Sequence, residues 1–324
     1  MAIIEMADLT KSFVVRRRAG GWRRHRREVR AVDRLSLGIE AGEFVGFIGP
    51  NGAGKSTTVK MLTGILVPTG GRLRVAGLDP ASERRRLAGR MGVVFGQRTT
   101  LWWDLPLMES FDLLRRMYRV PAQRFAANLQ RCSELLELGE LLPVPVRELS
   151  LGQRMRGELT ASLLHEPEVL YLDEPTIGLD VVSKVAVREF LAEVNRERGT
   201  TIVLTTHDLD DIERLCPRIV VVDHGRLVYD GPLADLRSRL GGERTMVVEF
   251  GGAVPQIQQA GVSATRLGGS RLALTLSGEA NVAALTADLV GRGDVVDLTI
   301  GEPDIEEVVR RLYAAPDPAG PVST

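Results

Sequence analysis

A chain of 324 residues has room for about two domains and a sizeable core. Its 42 basic residues balance its 42 acidic ones, so charge gives no argument for a nucleic-acid or acidic partner. No uninterrupted apolar run nears the ~18 residues of a transmembrane helix, and Met-Ala-Ile-Ile-Glu does not open a secretory signal.

Ala2 to Phe13 reads as a strand and Val29 to Leu37 as a second. The arginine-rich run Arg16 to Arg30 lengthens the loop between them, either as a solvated insert or as a contact for anionic headgroups or an acidic partner loop. After the turn at Ala41-Gly42 comes the apolar run Phe44 to Ile48. It leads into Gly49-Pro50-Asn51-Gly52-Ala53-Gly54-Lys55-Ser56-Thr57 and then a helical stretch, Thr58 to Leu66. Strand, glycine loop and helix are the context that the P-loop pattern GxxxxGK[ST] requires. Glycines let several N–H groups converge on a phosphate, and the helix N-terminus favours negative charge. Lys55 can then reach the β- and γ-phosphates while the Ser56 hydroxyl ligates Mg²⁺. A plain glycine-rich turn is the alternative, but with four lysines in the chain the pattern arises by chance only about 0.5% of the time.

Farther on, Arg72 to Ala76 is a short strand, and Met91 to Phe95 is a buried-type strand that delivers Gly96-Gln97 to its end. From about 104 to 165 the pattern is helical, with Leu107, Phe111, Leu114 and Tyr118 on one face and Phe125, Leu129, Cys132 and Leu136 on another. Strands resume at Val169–Leu172, Thr201–Thr205 and Ile219–Val222, separated by helices over Ser183–Glu197 and Leu209–Leu215. Such alternation implies a largely parallel sheet with a helical insert, an α/β architecture. Cys132 and Cys216 lack metal-ligand spacing and read as core thiols in a reducing cytoplasm.

Near Leu240 the composition shifts, dividing residues 1–240 from a second unit, 241–324. That unit reads as strand Thr245–Phe250, helix Pro255–Ala260, a hairpin around Gly268-Gly269, helix Asn281–Gly291, strand Val295–Ile300 and helix Asp304–Tyr313. The order is βαββαβ, a small ferredoxin-like α+β domain, followed by a frayed Pro/Gly-rich tail from Ala314.

The strand Val169 to Leu172 ends in Asp173-Glu174. Alone these are solvated carboxylates; beside a P-loop, Asp173 can hold Mg²⁺ and Glu174 can orient or deprotonate the attacking water. Upstream, Leu149-Ser150-Leu151-Gly152-Gln153 opens a helix and resembles the LSGGQ signature of ABC ATPases. Together with the P-loop, Gln97, Asp173-Glu174, Gly178-Leu179-Asp180 and His207, it resembles the full ABC set in order over about residues 1–240. The resemblance implies a P-loop NTPase fold with a helical subdomain. It implies ATP and Mg²⁺ as ligands, bound through Phe13 stacked on adenine and the Gly49–Thr57 loop. Ser150, Gly152 and Gln153 would reach the γ-phosphate held by a second protomer, and Asp180 would bridge the two. Gln97 would contact Mg²⁺ or water, and His207 would bond the γ-phosphate. Leu151 departs from the usual Gly of the signature.

The segments Phe95 to Asp104 and Leu149 to Arg156 look like the ABC-2 export branch, drug and antibiotic exporters included. That implies a homodimer at the cytoplasmic face of the membrane, driving a separately encoded permease, with no nucleic acid. The alternatives are an importer ATPase or a soluble ABC ATPase on ribosomes or DNA. Against the latter stand the single cassette and an insert without sustained heptads.

Overall fold

The computed structural model of the chain describes residues 2–18, 24–96, 99–239, 244–252, 254–257, 259, 261–276, 281–301 and 308. The chain divides into two compact units, Met1–Gly231 and Pro232–Thr324.

In the first unit, β1 (Ala2–Arg18) and β2 (Arg24–Glu40) pair antiparallel along their length. Within the arginine-rich run, Arg16–Arg18 and Arg24–Arg30 therefore continue this ribbon, and residues 19–23 lie outside the described residues. Core residues at the base, Ile4, Leu9, Leu35 and Ile39, fix the pairing, and Val14 and Val29 extend it with strand-favouring side chains. β3 (Phe44–Ile48) is buried at every position and runs into the glycine loop and α1 (Lys55–Leu62). β4 (Gly70–Val75) adds to β1, giving an antiparallel sheet of order β2-β1-β4. A short α2 (Arg84–Ala88) precedes β5 (Met91–Phe95).

The helical insert follows as α3 (Leu107–Tyr118), α4 (Ala122–Leu135) and α5 (Leu151–Leu163). Leu107, Phe111 and Leu114 of α3, Phe125, Leu129 and Cys132 of α4, and Met155 and Leu159 of α5 are buried on faces set by 3.6-residue spacing, and α5 packs against both α3 and α4. Tyr118 ends that face partly exposed, its ring stacked 4.1 Å from the ring of His165. The rest of the unit is β6 (Val169–Asp173), α6 (Val181–Arg198), β7 (Thr201–Thr205), α7 (Leu209–Leu215), β8 (Arg218–Asp223) and β9 (Arg226–Pro232). The two-residue turn His224-Gly225 between β8 and β9 has φ 46° and 78°, the hairpin-type left-handed geometry.

The second sheet has the order β5-β6-β7-β3-β8-β9, with β5, β6, β7, β3 and β8 parallel. Phe95, Asp173, Thr205 and Phe47 lie side by side across it. The carboxyl ends of four strands therefore finish level, and the loops leaving them share one edge. In open parallel sheets that edge, where strand order reverses, is where ligands sit. Ile4, Leu35, Phe47, Met61 and Tyr171 belong to the core that joins the two sheets.

The second unit holds α8 (Leu233–Arg239), β10 (Arg244–Phe250), β11 (Val262–Gly268), β12 (Arg271–Leu276), α9 (Val282–Arg292) and β13 (Val295–Gly301). Its sheet is antiparallel throughout, order β11-β12-β10-β13, and buries Met246, Val248, Phe250, Leu272, Leu274 and Leu276 with Leu285 and Leu289 of α9. The helix expected over Pro255–Ala260 does not form: 254–257 have no regular structure. Only Gly251 to Gly261 separates two strands that run the same way with β12 between them. A helical crossover takes a dozen residues or more, which this short connection does not supply, and Val254 and Ile257 pack on the core. The helix expected at Asp304–Tyr313 lies outside the described residues except for buried Val308, as does the tail.

Candidate functional site

At the carboxyl edge of the parallel sheet is a cleft of about 470 Å³, lined by residues 51–57, Lys60, Ile65, Phe95, Gly96, Asp173, Glu174 and, from β2, Ala31. The volume is in the range of small-ligand pockets. Its floor is the N-terminus of α1. That helix starts at Gly54 with φ 104°, and no side chain caps it. Its first-turn N–H groups are therefore offered to whatever anion lies in front of them. Gly54 cannot be replaced: besides its left-handed φ, a Cβ there would lie 2.4 Å from the Ala31 carbonyl oxygen. Ala31 is the extra residue of a bulge in β2, since Lys11 pairs with Val32 and Ser12 with Arg30.

Lys55 Nζ donates to the Gly49 carbonyl and, at 3.2 Å, to the Pro50 carbonyl. Burial pulls its pKa down, partly opposed by the charges of Glu174 and Asp173. Ser56 is exposed in the second helical position. Across from it, Asp173 accepts a hydrogen bond from Thr205 Oγ1, a partner one strand over that only register supplies. Glu174 is held at φ 56°, a costly conformation for a residue with a Cβ, and its N–H donates to the Thr205 carbonyl at 2.8 Å. The strained turn sets Glu174 beside His207, whose Nδ1 is 2.8 Å from Glu174 Oε2.

α7, which follows His207, is anchored by charge. Asp211, fully buried, accepts from Thr176 Oγ1 and Arg188 Nε, while Arg188 Nη1 also reaches Asp210 Oδ2 at 2.7 Å. Lys184 donates to Asp208 Oδ2 at 2.5 Å. Burial alone would raise the Asp208 carboxyl, but the hydrogen bond from Lys184 and the charges of Lys184 and Arg188 outweigh it and hold it low.

Ser150, Gly152, Gln153 and Asp180 are not part of the cleft's wall. Ser150 caps α5 in a closed capping box: its Oγ accepts from Gln153 N–H at 3.2 Å, and its own N–H donates to Gln153 Oε1 at 2.9 Å. Gln153 therefore uses its side chain on its own helix. Asp180 caps α6, taking the Ser183 N–H at 2.9 Å and the Ser183 hydroxyl at 2.7 Å, and these bonds lower its pKa. Gly152 abuts Ser183 and Asp180, and Leu151 lies over Gly178, which has φ 71°. The residue that departs from the signature thus packs on the loop following Glu174. Phe13 is also outside the cleft wall. It pairs across the ribbon with Val29, has Lys11 Nζ 5.3 Å from its ring centre and is 38% exposed. Gln97 lies outside the described residues, although Phe95 and Gly96 before it line the cleft.

Oxygen donors from Ser56 and Asp173 suit a hard divalent cation. Among the described residues no cluster of three or more His, Cys, Asp or Glu side chains could cage a metal. Thr205 and Ala31 carried no signal in the sequence: one is a strand-end threonine, the other an alanine in a strand.

The ABC transporter family model matches residues 32–177. The daunorubicin resistance ATP-binding protein DrrA3 of Streptomyces coeruleorubidus is 37% identical over 239 residues, covering 72% of this chain and 75% of that protein. The chain belongs to the ABC transporter ATP-binding family. Among its ABC relatives, the ATP-binding protein NatA of Bacillus subtilis (strain 168) is 32% identical over 208 residues, 64% of this chain and 84% of that one. The dimeric, post-hydrolysis structure of the ATP-binding cassette MJ0796 bound to ADP and Pi superposes with a TM-score of 0.61 and 25% identity over 71% of this chain and 98% of that one. The free cysteines Cys132 and Cys216 are buried, as expected of core thiols. No helix among the described residues is long and apolar enough to cross a membrane.

Proposed function

We propose that this ABC protein hydrolyses ATP at a composite site between two copies of the chain and thereby powers a separate membrane permease of the ABC-2 export type. The observation that carries the reading is a division of labour. Lys55, Ser56, Asp173, Glu174 and His207 converge on one edge of the sheet, whereas Ser150 and Gly152 stand outside that cleft at the capped start of α5, where the Ser150 hydroxyl proton is still free to be given. A phosphate on the α1 N-terminus needs donors from a second side, and the α5 N-terminus of another copy has the matching chemistry.

In this reading the loop Gly49–Thr57 wraps the phosphates and Lys55 leaves its carbonyl partners for the β- and γ-phosphate oxygens. Ser56 and Asp173, with Gln97, hold Mg²⁺, which when bound offsets phosphate charge. Glu174, oriented by His207, takes the proton of the attacking water. Ser150 keeps its oxygen on the Gln153 N–H and gives its O–H to the γ-phosphate of the partner's nucleotide. Asp180 faces the dimer seam, and Phe13 stacks on the base from the ribbon beside Ala31. Closing the dimer assembles the sites and hydrolysis reopens it. The export direction is supported by the name of the daunorubicin resistance relative. The chain then sits at the cytoplasmic face of the membrane, held there by its permease.

Glu174→Gln tests the reading. The variant is expected to bind ATP, to lose about 10²–10⁴-fold in kcat and to accumulate as a dimer in size-exclusion chromatography with ATP. Turnover at the wild-type rate would remove Glu174 from its role.

A further inference from the structure

Glu158 lies in the middle of α5, two turns after Ser150, and only 4% of it is exposed. Among the described residues no cation pairs with this carboxylate. Its oxygens are satisfied by two consecutive residues from another part of the chain. Thr99 Oγ1 donates to Oε1, Thr100 N–H donates to both oxygens at 3.0 and 3.2 Å, and Thr100 Oγ1 donates to Oε2 at 2.6 Å. Thr99 and Thr100 come three and four residues after Gly96, which lines the nucleotide cleft.

The same face of α5 grips the rest of that segment. Positions 154, 157 and 158 fall at i, i+3 and i+4 and share one side of the helix. Arg154 stands 5.7 Å over the ring of Trp103, and Gly157 leaves room for Leu101 and Leu107, whose methyl carbons would be 3.2 and 2.9 Å from a Cβ there. Residues 99–107 are thus laid along α5, with a buried charge at the end nearest the cleft. Such a charge tolerates its donors or water and little else. If Thr99 and Thr100 shift, the helix must follow or the carboxylate is stranded. An apolar side chain at 158 would pack here but would let the segment slide.

We propose that Glu158 is a positioning residue: it ties the chain leaving the nucleotide cleft to the helix whose first turn carries Ser150, so that both move as one body when two copies close. This rests on the reading of a composite ATP site given above. A shift of Thr99 and Thr100 is then delivered through Glu158 and α5 to the serine that serves the other copy's nucleotide.

The test uses the full chain with Glu158→Ala and Glu158→Gln, measuring kcat, KM for ATP, thermal stability, and ATP-driven dimer formation in the Glu174→Gln background. Glu158→Ala is expected to lower kcat at least tenfold and to raise the protein concentration needed for dimerisation at least tenfold, with KM for ATP within about twofold of wild type. Glu158→Gln should recover most of the loss. Its amide oxygen still accepts from Thr99 Oγ1 and Thr100 N–H, and the Thr100 hydroxyl can turn to accept from the amide nitrogen. A merely structural role would lower the melting temperature while leaving kcat per folded molecule and dimerisation unchanged, and that result overturns the proposal. So does a glutamine variant as impaired as the alanine one. If Glu158→Ala does not fold, Thr100→Val removes one hydroxyl and keeps the backbone donor; it should cut kcat about threefold at unaltered KM, and an unaltered kcat overturns the tie. Wild-type protein that hydrolyses no ATP sinks the composite-site reading instead, so the two failures are distinguishable.

Discussion

In the proposed site two helix N-termini carry the anion chemistry, and they are built in opposite ways. α1 begins at a left-handed glycine with no side chain to cap it, so its first-turn N–H groups wait for an external partner. α5 begins at a serine whose hydroxyl and N–H are both engaged by Gln153. The open end also has the lysine, the metal-type oxygens and a cleft of its own; the closed end has none of these. The difference teaches that the α1 end is open to a ligand without any partner, whereas the α5 end is a finished helix terminus that, in the proposed dimer, adds a donor only when another copy presents a phosphate. A capped helix end keeps its shape unliganded, and the serine oxygen that accepts from Gln153 still has a proton to give.

That contrast sets the order of the effects expected from mutation. Lys55→Ala strips the open half of its cation and should cost about 10³ in kcat/KM and abolish ATP binding by equilibrium dialysis. Retained binding would show that the backbone cradle alone suffices. Ser150→Ala acts on the closed half. It should lose about 10² in kcat while nucleotide still binds the isolated protomer, and losing the cap should cost about 1 kcal/mol, read as a drop of roughly 2–4 °C in melting temperature. If binding and turnover fell together, the two halves would not be separable.

Gly178→Ala addresses the contact between the halves within one chain. The residue has φ 71°, and a Cβ would sit 2.8 Å from Leu151 Cδ2. A loss of about 1–2 kcal/mol in urea unfolding is expected, part of it recovered by adding Leu151→Ala. No recovery would mean that φ alone sets the cost. The smallest effect is in acid. Burial would raise the carboxyls of Asp33 and Asp208, but hydrogen bonds and charge from Arg226 and Arg30 at the one, and from Lys184 and Arg188 at the other, hold both below the ordinary 3.8. Their folded values being depressed, they contribute stability that is complete above pH 3.8 and lost as pH falls through the lower folded values. Melting temperatures should therefore be flat from neutrality to about pH 5 and fall below pH 4, less steeply in Asp208→Asn.

How much of this could be read beforehand depends on how far apart in the chain the partners lie. The P-loop, Asp173-Glu174 and Ser150 with Gln153 are each a few consecutive residues, so their residue types and spacing state their chemistry. The four-residue reach of a capping box is likewise local. Thr205 on Asp173, His207 on Glu174 and the threonines on Glu158 are brought in from 32, 33 and 58 or 59 residues away. Only sheet register and helix packing decide such meetings. The same limit explains the ribbon beyond Phe13, where cross-strand pairing overrides an arginine-rich composition, and Val254–Ile257, where strand geometry overrides a helical pattern.

By itself the sequence determined a parallel α/β nucleotide cassette, the loop that takes the triphosphate and the acids that flank it. Local periodicity and short-range spacing carry that information directly. The tertiary structure decided which carboxylates acquire partners, that Phe13 stands on the ribbon opposite Val29, that Gln153 closes the cap of α5, and that Leu151 rests on Gly178. Those outcomes depend on how strands align at one sheet edge and how α5 lies against its neighbours, which no window of sequence contains.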